Sequence, residues 1–524
     1  MATFACLAYL ASELYLFSGR LALPLDDSWI HLQFARSLAA GEGLAYNPGQ
    51  WVSGSTAPLW TALLAVGFLL PGGPLMWTKA LGVAFFLGTV AATHRLAAEL
   101  GLARGPSLLA ATLTAATHWL VWSALSGMEI TLFSWLSLWG IICHLRERAD
   151  PLRAPSSLAI FAAAALTRPE GSLLLILAIA DRSVRFDVSA AGLGTRWGAG
   201  LPTLPAGLAS AAIVLLPTGI FYRAVGGSFL PTTFAVKTTP AADLIPSGRY
   251  LDAVLDVVFA SQPVMLLLAG AGVLRLIERL GRRGDRGLLP ASWPLGMALA
   301  YSLLATPSGP IVVGNFGRYY FPILPIVVVL GILGLEEAGR RIGSRVRVGG
   351  RAWPLRAFLV AALAAPQLWG LATGLPRYLQ TLANVEDSDV RAAHWLAERL
   401  PPEALLAVQD IGAIKYHLPN PIVDLTGIVN PDILPFLKGT GPRDPVYWED
   451  RLLSYLARRK PDFLVIFPRS YPQTAGGRRG FQEIQRFPIR HNVTMAGDEL
   501  AIYSTPWTRR ALREQLSSRE SQRN

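Results

Sequence analysis

Apolar residues fall in long runs, roughly 18 to 25 residues each, that recur from Ala2 to Leu375 and are about long enough to cross a ~30 Å hydrocarbon layer as helices. Short polar loops separate them. Four of these loops, 146–153, 182–196, 275–286 and 340–351, are rich in arginine. Placing all four in the cytoplasm follows the positive-inside rule and leaves the opposite loops nearly free of lysine and arginine. Segments 204–222, 252–277, 290–304, 319–335 and 354–375 then alternate in direction, and the chain after Leu375 emerges outside.

The N-terminal half follows the same logic. Residues 2–17 read as an uncleaved first span, with no basic segment before them and no small-residue cleavage site before Leu21. Residues 21–57 are then a polar external loop. Of the apolar runs 58–70, 75–100 and 106–125, the first covers only about 20 Å as a helix and ends in Pro71-Gly72-Gly73-Pro74, so it reads as interfacial or re-entrant. That places Glu129 outside. Segment 155–180 carries Thr167-Arg168-Pro169-Glu170 at its centre and arginine-rich flanks on both sides. A proline disfavours helix at the residue before it, so two short helices meeting at this tetrapeptide are expected. The predicted fold is a polytopic α-helical membrane protein of about eleven crossings.

Residues 381–508 predict a small extracytoplasmic α/β domain, with amphipathic helices at 388–400 and 444–459 and strands at 404–408, 421–423, 462–467 and 499–504. The polar, mixed-charge segment 509–524 predicts disorder. No internal repeat of fixed period is present.

Composition sharpens the class. Hydrophobic residues make up 52% and charged residues 16%, with a mean hydropathy of +0.39, whereas soluble chains carry about 25% charged residues. A soluble enzyme and a DNA-binding protein are excluded. The net charge of +12 lies in the short arginine loops and reports orientation in the bilayer, not affinity for nucleic acid. Cys6 and Cys143 both sit in apolar runs, which leaves no disulfide framework and no cysteine-based zinc site.

Candidate chemistry begins in loop 21–57, where Asp26 and Asp27 directly follow a span. Two adjacent carboxylates there are costly unless partnered or functional. One of them can N-cap a helix over 28–40, but a single cap accounts for a single acid. In the functional reading one is a general base toward an acceptor hydroxyl, and the other orients it or helps hold a divalent cation such as Mg or Mn. His31, one turn beyond Asp27, either joins that site or is a hydrogen-bonded structural residue.

A resemblance then becomes specific. Asp26-Asp27-Ser28-Trp29-Ile30, Arg36, Gly41-x-Gly43, Tyr46-Asn47-Pro48-Gly49, Gly54-Ser55-Thr56 and Leu59-Trp60 resemble the first external loop of GT-C fold glycosyltransferases, which take a sugar from a polyprenyl-phosphate donor. The string is most similar to bacterial relatives of the mycobacterial terminal arabinofuranosyltransferases and, more distantly, to the protein mannosyltransferase and aminoarabinose transferase group. It continues through Gly127-Met128-Glu129, Thr167-Arg168-Pro169-Glu170-Gly171, Leu230-Pro231-Thr232-Thr233-Phe234-Ala235-Val236-Lys237 and Arg318-Tyr319-Tyr320-Phe321-Pro322. The resemblance covers the whole membrane part. Trp29 stands where many relatives carry tyrosine.

The resemblance implies Asp26 or Asp27 as catalytic base, with Glu129 as a second acid. The bland account of Glu129 is an acid at a helix N-terminus, favoured by the dipole. The departing lipid phosphate calls for cations, and Arg168, Lys237, Arg318 and Arg249 belong to loops on the outer side. Pairing of Arg168 with Glu170, and plain loop exposure of Lys237, are the structural alternatives. His31, Tyr46, Trp60 and Glu170 are the candidate substrate contacts. In the tail, Asp410 and Asp424 either bond sugar hydroxyls or serve turn chemistry.

The expectation is a multi-pass enzyme of a bacterial inner membrane, with its site and C-terminal domain extracytoplasmic. It would move one pentosyl or hexosyl group from a polyprenyl-phosphate donor to a hydroxyl of a glycan, glycolipid or protein acceptor, with inversion. The competing readings are a lipid-linked sugar transporter and a non-catalytic envelope assembly subunit. A tail of this length and the external acidic loop are not needed for transport.

Overall fold

The computed structural model describes residues 1–150, 153–189, 192–197, 201–237, 248–280, 287–304, 316–343, 352–437, 445–477, 480–510 and 512. Helix α1 (Ala2–Leu16) enters the membrane part, and loop 21–57 follows it with helix α2 (Asp26–Ala39) and the antiparallel pair β1 (Ala45–Asn47) and β2 (Gln50–Trp51). The short α3 (Pro58–Ala65) precedes α4 (Gly73–Glu99). Gly72, at φ +92°, turns the chain in the left-handed region just before α4, and Pro74 sits in its first turn, where no amide hydrogen is needed.

The run expected as one helix over 106–125 is two, α5 (Arg104–Ala115) and α6 (His118–Leu125), bent by 56°. Helix α7 (Ile130–Ala149) leads to α8 (Ser156–Ala165) and α9 (Glu170–Ser183), the pair expected to meet at Thr167–Glu170. Gly171 allows that meeting, since a Cβ there would run into the backbone of Ala164 and Ala165. After α9 comes an antiparallel pair, β3 (Val184–Ser189) and β4 (Gly192–Trp197), in what reads from sequence as an arginine-rich loop. Helix α10 (Leu204–Gly226) and the short α11 (Thr232–Lys237) follow.

Segment 252–277, expected as a single helix, breaks into α12 (Gly248–Ser261) and α13 (Pro263–Ile277). Pro263 forces the break: Gln262 before it leaves the helical region at φ −143° and ψ 55°. Its side chain then bonds Thr117 Oγ1 at 2.8 Å and Gln367 Oε1 at 3.2 Å. Helix α14 (Leu289–Leu304) precedes the 3₁₀ segment Arg318–Ile323, which runs into α15 (Leu324–Gly343). Helices α13 and α15 pack closely because Gly272 and Gly334 leave room for each other's backbone carbonyls.

Helix α16 (Ala352–Val385) is longer than the 354–375 expected, and it does not stop at the membrane part. It passes through one π turn (Glu386–Val390) directly into α17 (Arg391–Ala397) of the C-terminal unit. By length and composition, Gly73–Glu99, Leu204–Gly226 and Arg318–Arg341 are the described helices that suffice for a crossing, and the bent α5–α6 pair is a fourth. Ala2–Leu16, Pro58–Phe68, Ser156–Ala165 and Pro263–Ile277 are apolar but shorter.

The C-terminal unit is a five-stranded sheet in the order β6-β5-β7-β9-β8. Its strands are β5 (Leu406–Val408), β6 (Ile422–Asp424), β7 (Phe463–Ile466), β8 (Gln482–Pro488) and β9 (Glu499–Ser504). Strand β8 is absent from the sequence reading because its residues are polar and mostly exposed. Side chains alternate across the sheet. Leu406, Val408, Phe463 and Val465 face Ile30, Phe34 and Tyr46 of the first loop. Val423, Leu464 and Ile466 face the opposite way, onto Leu452 and Leu456 of helix α19 (Pro445–Arg459). Helix α18 (Ile411–His417) joins β5 to β6 and lies against α2. One face of the sheet is therefore built onto the acidic loop. The segment 509–524 falls almost wholly outside the described residues.

Candidate active site

Neither aspartate of the loop caps its helix. The N-cap is Leu25, and Asp26 and Asp27 lie in the first turn of α2, where the helix dipole favours acids. The two neighbours nevertheless have opposite surroundings. Asp26 points to the C-terminal unit, where its carboxylate oxygens accept the backbone N–H groups of Gly412 and Ala413, each at 2.8 Å. A Cβ at Gly412 would collide with Asp26, so only glycine allows this approach. Burial pushes the Asp26 carboxyl up to about 7 against the pull of those two amides, with the charges of Asp27 and Asp424 adding to the rise.

Asp27 points to the membrane part. Its side chain is 31% exposed and ion-paired with Arg318, which is only 4% exposed. Arg318 opens the 3₁₀ segment after Gly317, whose φ of +64° turns the chain there. One guanidinium nitrogen, Nη1, is buried without a hydrogen-bond partner.

Beside it lies a second cluster. Arg168, in the α8–α9 turn, donates from Nη1 to Glu129 Oε1 at 2.7 Å and from Nη2 to Glu170 Oε1 at 2.7 Å. The hydroxyl of Tyr301 also donates to Glu170. Glu129 therefore shares Arg168 with Glu170, whose pairing with Arg168 is the structural alternative set out from the sequence. His31 Nε2 stands 3.2 Å from Glu129 Oε2, while His31 Nδ1 has no partner. Burial alone would raise the Glu129 carboxyl, but His31 and Arg168 outweigh it and hold the group well below the usual range. Tyr319 links the two arginines, with the Arg168 guanidinium 4.8 Å and that of Arg318 5.6 Å from its ring centre.

Tyr46 and Trp60 are fully buried, and each gives its polar hydrogen to a main-chain carbonyl. Tyr46 donates to Ile411 at 3.0 Å and Trp60 to Gly127 at 3.0 Å. The first braces the loop against α18; the second braces the turn that carries Glu129. Ser28 adds a bond from its hydroxyl to the Ser126 carbonyl at 2.6 Å.

A third set of charges escaped the sequence reading. Glu13 and Lys79, single charges inside apolar runs, pair at 2.9 Å with both side chains buried. Tyr378 donates to Glu13 at 2.5 Å, and Lys79 donates to the Leu125 carbonyl at 3.0 Å. The remaining Glu13 oxygen accepts the Ala22 N–H at 2.8 Å. This cluster thus holds the start of the acidic loop and the start of the Glu129 turn at a fixed distance. The signal was available, because lone charges at membrane depth need partners.

The side chains of Lys237 and Arg249 lie outside the described residues. Asp424 is engaged in turn chemistry, accepting from Thr426 N–H at 2.7 Å and Val429 N–H at 2.8 Å. The Asp26 and Asp27 pair does not make a ready metal donor set. Asp26 is committed to two amides and Asp27 to a guanidinium, and no group of three His, Cys, Asp or Glu among the described residues is placed to hold an ion.

Comparison with known proteins bears on the fold. No curated protein matches the chain by sequence. A family described as a domain of unknown function (DUF8728) matches residues 380–503. Among solved structures, ArnT from Cupriavidus metallidurans in the apo state aligns with a TM-score of 0.55 at 14% identity, covering 98% of this chain and 99% of that one. The same protein bound to undecaprenyl phosphate gives 0.54. The Archaeoglobus fulgidus oligosaccharyltransferase, tethered to an acceptor peptide, aligns at 0.60 and 10% identity over 91% of this chain and 70% of that one. The mycobacterial arabinofuranosyltransferase AftD, at 0.48, aligns too loosely to carry an argument. The chain has the GT-C fold: a helical membrane protein with a small C-terminal sheet.

Proposed function

We propose that this protein is a membrane glycosyltransferase that moves one sugar from a polyprenyl-phosphate donor to a hydroxyl on an extracytoplasmic acceptor. The observation that carries the reading is Asp27, a partly exposed carboxylate paired with the buried Arg318, which keeps one nitrogen without a hydrogen-bond partner. Asp27 takes the proton of the acceptor hydroxyl as its oxygen attacks the anomeric carbon. The bond from that carbon to the donor phosphate breaks with inversion, and the lipid phosphate leaves with its electron pair. Arg318 Nη1 meets the developing charge, and Arg168 lies behind it across Tyr319.

In this reading Asp26 is the joint to the C-terminal unit and not the base. Glu129 and Glu170 hold Arg168, and Tyr46 and Trp60 set the geometry without touching sugar. A lipid-phosphate partner and a membrane-surface acceptor accord with the undecaprenyl phosphate seen on ArnT and the peptide on the oligosaccharyltransferase. The latter also has a complex with Zn and sulfate, but the donors around Asp27 do not fit a metal, and no step is routed through one. The bacterial inner membrane, with the site facing outward, is the setting that the arginine loops favour.

The test is sugar transfer by the purified protein in nanodiscs, using a panel of radiolabelled polyprenyl-phosphate sugars. Transfer that is lost in folded Asp27→Asn but retained in part by Asp26→Asn supports the assignment. Full activity in Asp27→Asn overturns it.

A further inference from the structure

Of the described helices long enough to cross a bilayer unbroken, α10 is the least covered by protein, with 11% of its most apolar stretch buried. One side packs on α8, where a Cβ at Gly207 would run into Leu158. On the other, Ile213 at 74% exposure, Leu216 and Ile220 recur at i, i+3 and i+7 and form a single outward row. That row faces lipid. Arg223, three residues past Ile220, is exposed, and it marks where apolar side chains give way to charge at the end of α10 that meets the acidic loop.

Two exposed rings flank this boundary. Trp51 of β2 stands 6.3 Å, centre to centre, from Phe221, and Phe229, in the turn after α10, folds back to within 3.5 Å of the place a Cβ would take on Gly219. Gly219 and Phe221 lie about 100° to either side of Ile220, so the rings bracket the lipid-facing row. Trp51 is 61% and Phe229 62% exposed, and Leu230 is exposed beside it. Trp51 Nε1 donates to the Glu42 carbonyl at 2.9 Å, so the indole can leave water without stranding its donor. The same turn is bonded into the acidic loop. Thr232 Oγ1 meets Ser53 Oγ at 2.7 Å, Thr233 donates to the Gly54 carbonyl at 2.6 Å, and Tyr222 of α10 donates to the Ser55 carbonyl at 2.5 Å. A Cβ at Gly226 would collide with Ser53.

We infer that Trp51, Phe229 and Leu230 form a seat in the phospholipid interface, which anchors the β1–β2 hairpin of the acidic loop at the lipid boundary. The patch continues the lipid-facing row of α10, and it does so at the level of Arg223, where a bilayer passes from acyl chains to headgroups. Large aromatic and leucine side chains favour that level. Lipid is the occupant because the rings stand on both flanks of a row that must itself meet lipid if α10 crosses. With Ser53, Gly54 and Ser55 tied to the same turn, the seat sets the height of the acidic loop, and of Asp27 on it, over the bilayer. The inference needs no sugar donor and stands apart from the transferase reading.

The experiment is footprinting of the full chain in phosphatidylcholine nanodiscs, with hydroxyl radicals as the probe from water and a phosphatidylcholine carrying an acyl-chain diazirine as the probe from lipid. Mass spectrometry assigns the adducts to residues. Ile213 is the lipid reference, and Lys460, exposed in the C-terminal unit, is the water reference. Trp51, Phe229 and Leu230 are expected to follow Ile213, taking up lipid adducts and losing the oxidation that their exposure on the chain would otherwise bring. Oxidation of Trp51 without lipid adducts overturns the seat. Protection from both probes overturns it as well, since a second copy or another protein would then cover the patch. Trp51→Glu is expected to cut lipid adducts on Phe229 and Leu230 severalfold, and Trp51→Phe to keep them. Unchanged adducts in Trp51→Glu would overturn the role of Trp51 as anchor.

Discussion

Two buried ionic clusters lie on either side of the acidic loop, and they differ in completeness. In the Glu13, Lys79 and Tyr378 cluster each charge is answered, by the opposite charge, a hydroxyl or a main-chain group. In the Asp27, Arg318, Arg168 and Glu129 cluster, Arg318 Nη1 and His31 Nδ1 have no hydrogen-bond partner among the described residues. Both are costly to bury. A closed cluster is explained by the fold it holds together, whereas an open one asks for a ligand to complete it.

The sharpest way to break that contrast is to remove one charge from each. Asp27→Asn should lower kcat by about 10²–10⁴-fold and, because Asp27 is partly exposed, lower the melting temperature far less than it lowers kcat, measured by transfer assay and thermal unfolding together. Lys79→Met should do the reverse. It strands Glu13 and costs about 3–5 kcal/mol of stability, and the double variant Glu13→Gln with Lys79→Met should regain most of it. Arg318→Gln is expected next in size, with donor turnover reduced about tenfold to a hundredfold by loss of the phosphate contact and stability altered less than by Lys79→Met.

A smaller effect separates the neighbouring aspartates. Asp26 has a folded value of about 7, raised by burial, so its protonated form is favoured on folding relative to an unfolded aspartate near 3.9. Its contribution to stability is complete below the unfolded value and is lost as pH rises through about 7. Buried Asp389 and Asp410, both raised by burial, act in the same direction. The melting temperature should fall between pH 5 and pH 8, and Asp26→Asn should flatten part of that slope. The smallest change expected is Tyr46→Phe, about 1 kcal/mol for one hydrogen bond, with kcat nearly intact.

The sequence made the helical membrane class legible because apolar run length is a direct physical demand of the bilayer. It located the α8–α9 turn through Pro169 and the acidic loop through two adjacent carboxylates. It did not separate Asp26 from Asp27. That distinction depends on Gly412, distant in sequence and close only in the fold. Breaks at Ala116–Thr117 and Gln262 were hidden within apolar runs, although Pro263 marked the second. Strand β8 lacked an apolar alternation to mark it, whereas Val184-Arg185-Phe186-Asp187-Val188-Ser189 of β3 does alternate and is read only as part of an arginine-rich loop. The roles of Tyr46 and Trp60 look alike in a motif, yet burial makes both of them supports.

The π turn at Glu386–Val390 has a mechanical consequence. Since α16 runs through it into α17 without a flexible link, the chain there acts as a keyed shaft. Inserting a further residue into the turn, which already holds one more than an α turn, would rotate everything beyond it by about 100° and push it out by about 1.5 Å. Gly412 would then no longer meet Asp26. Insertions at 386–390 should therefore be tolerated far less well than substitutions there.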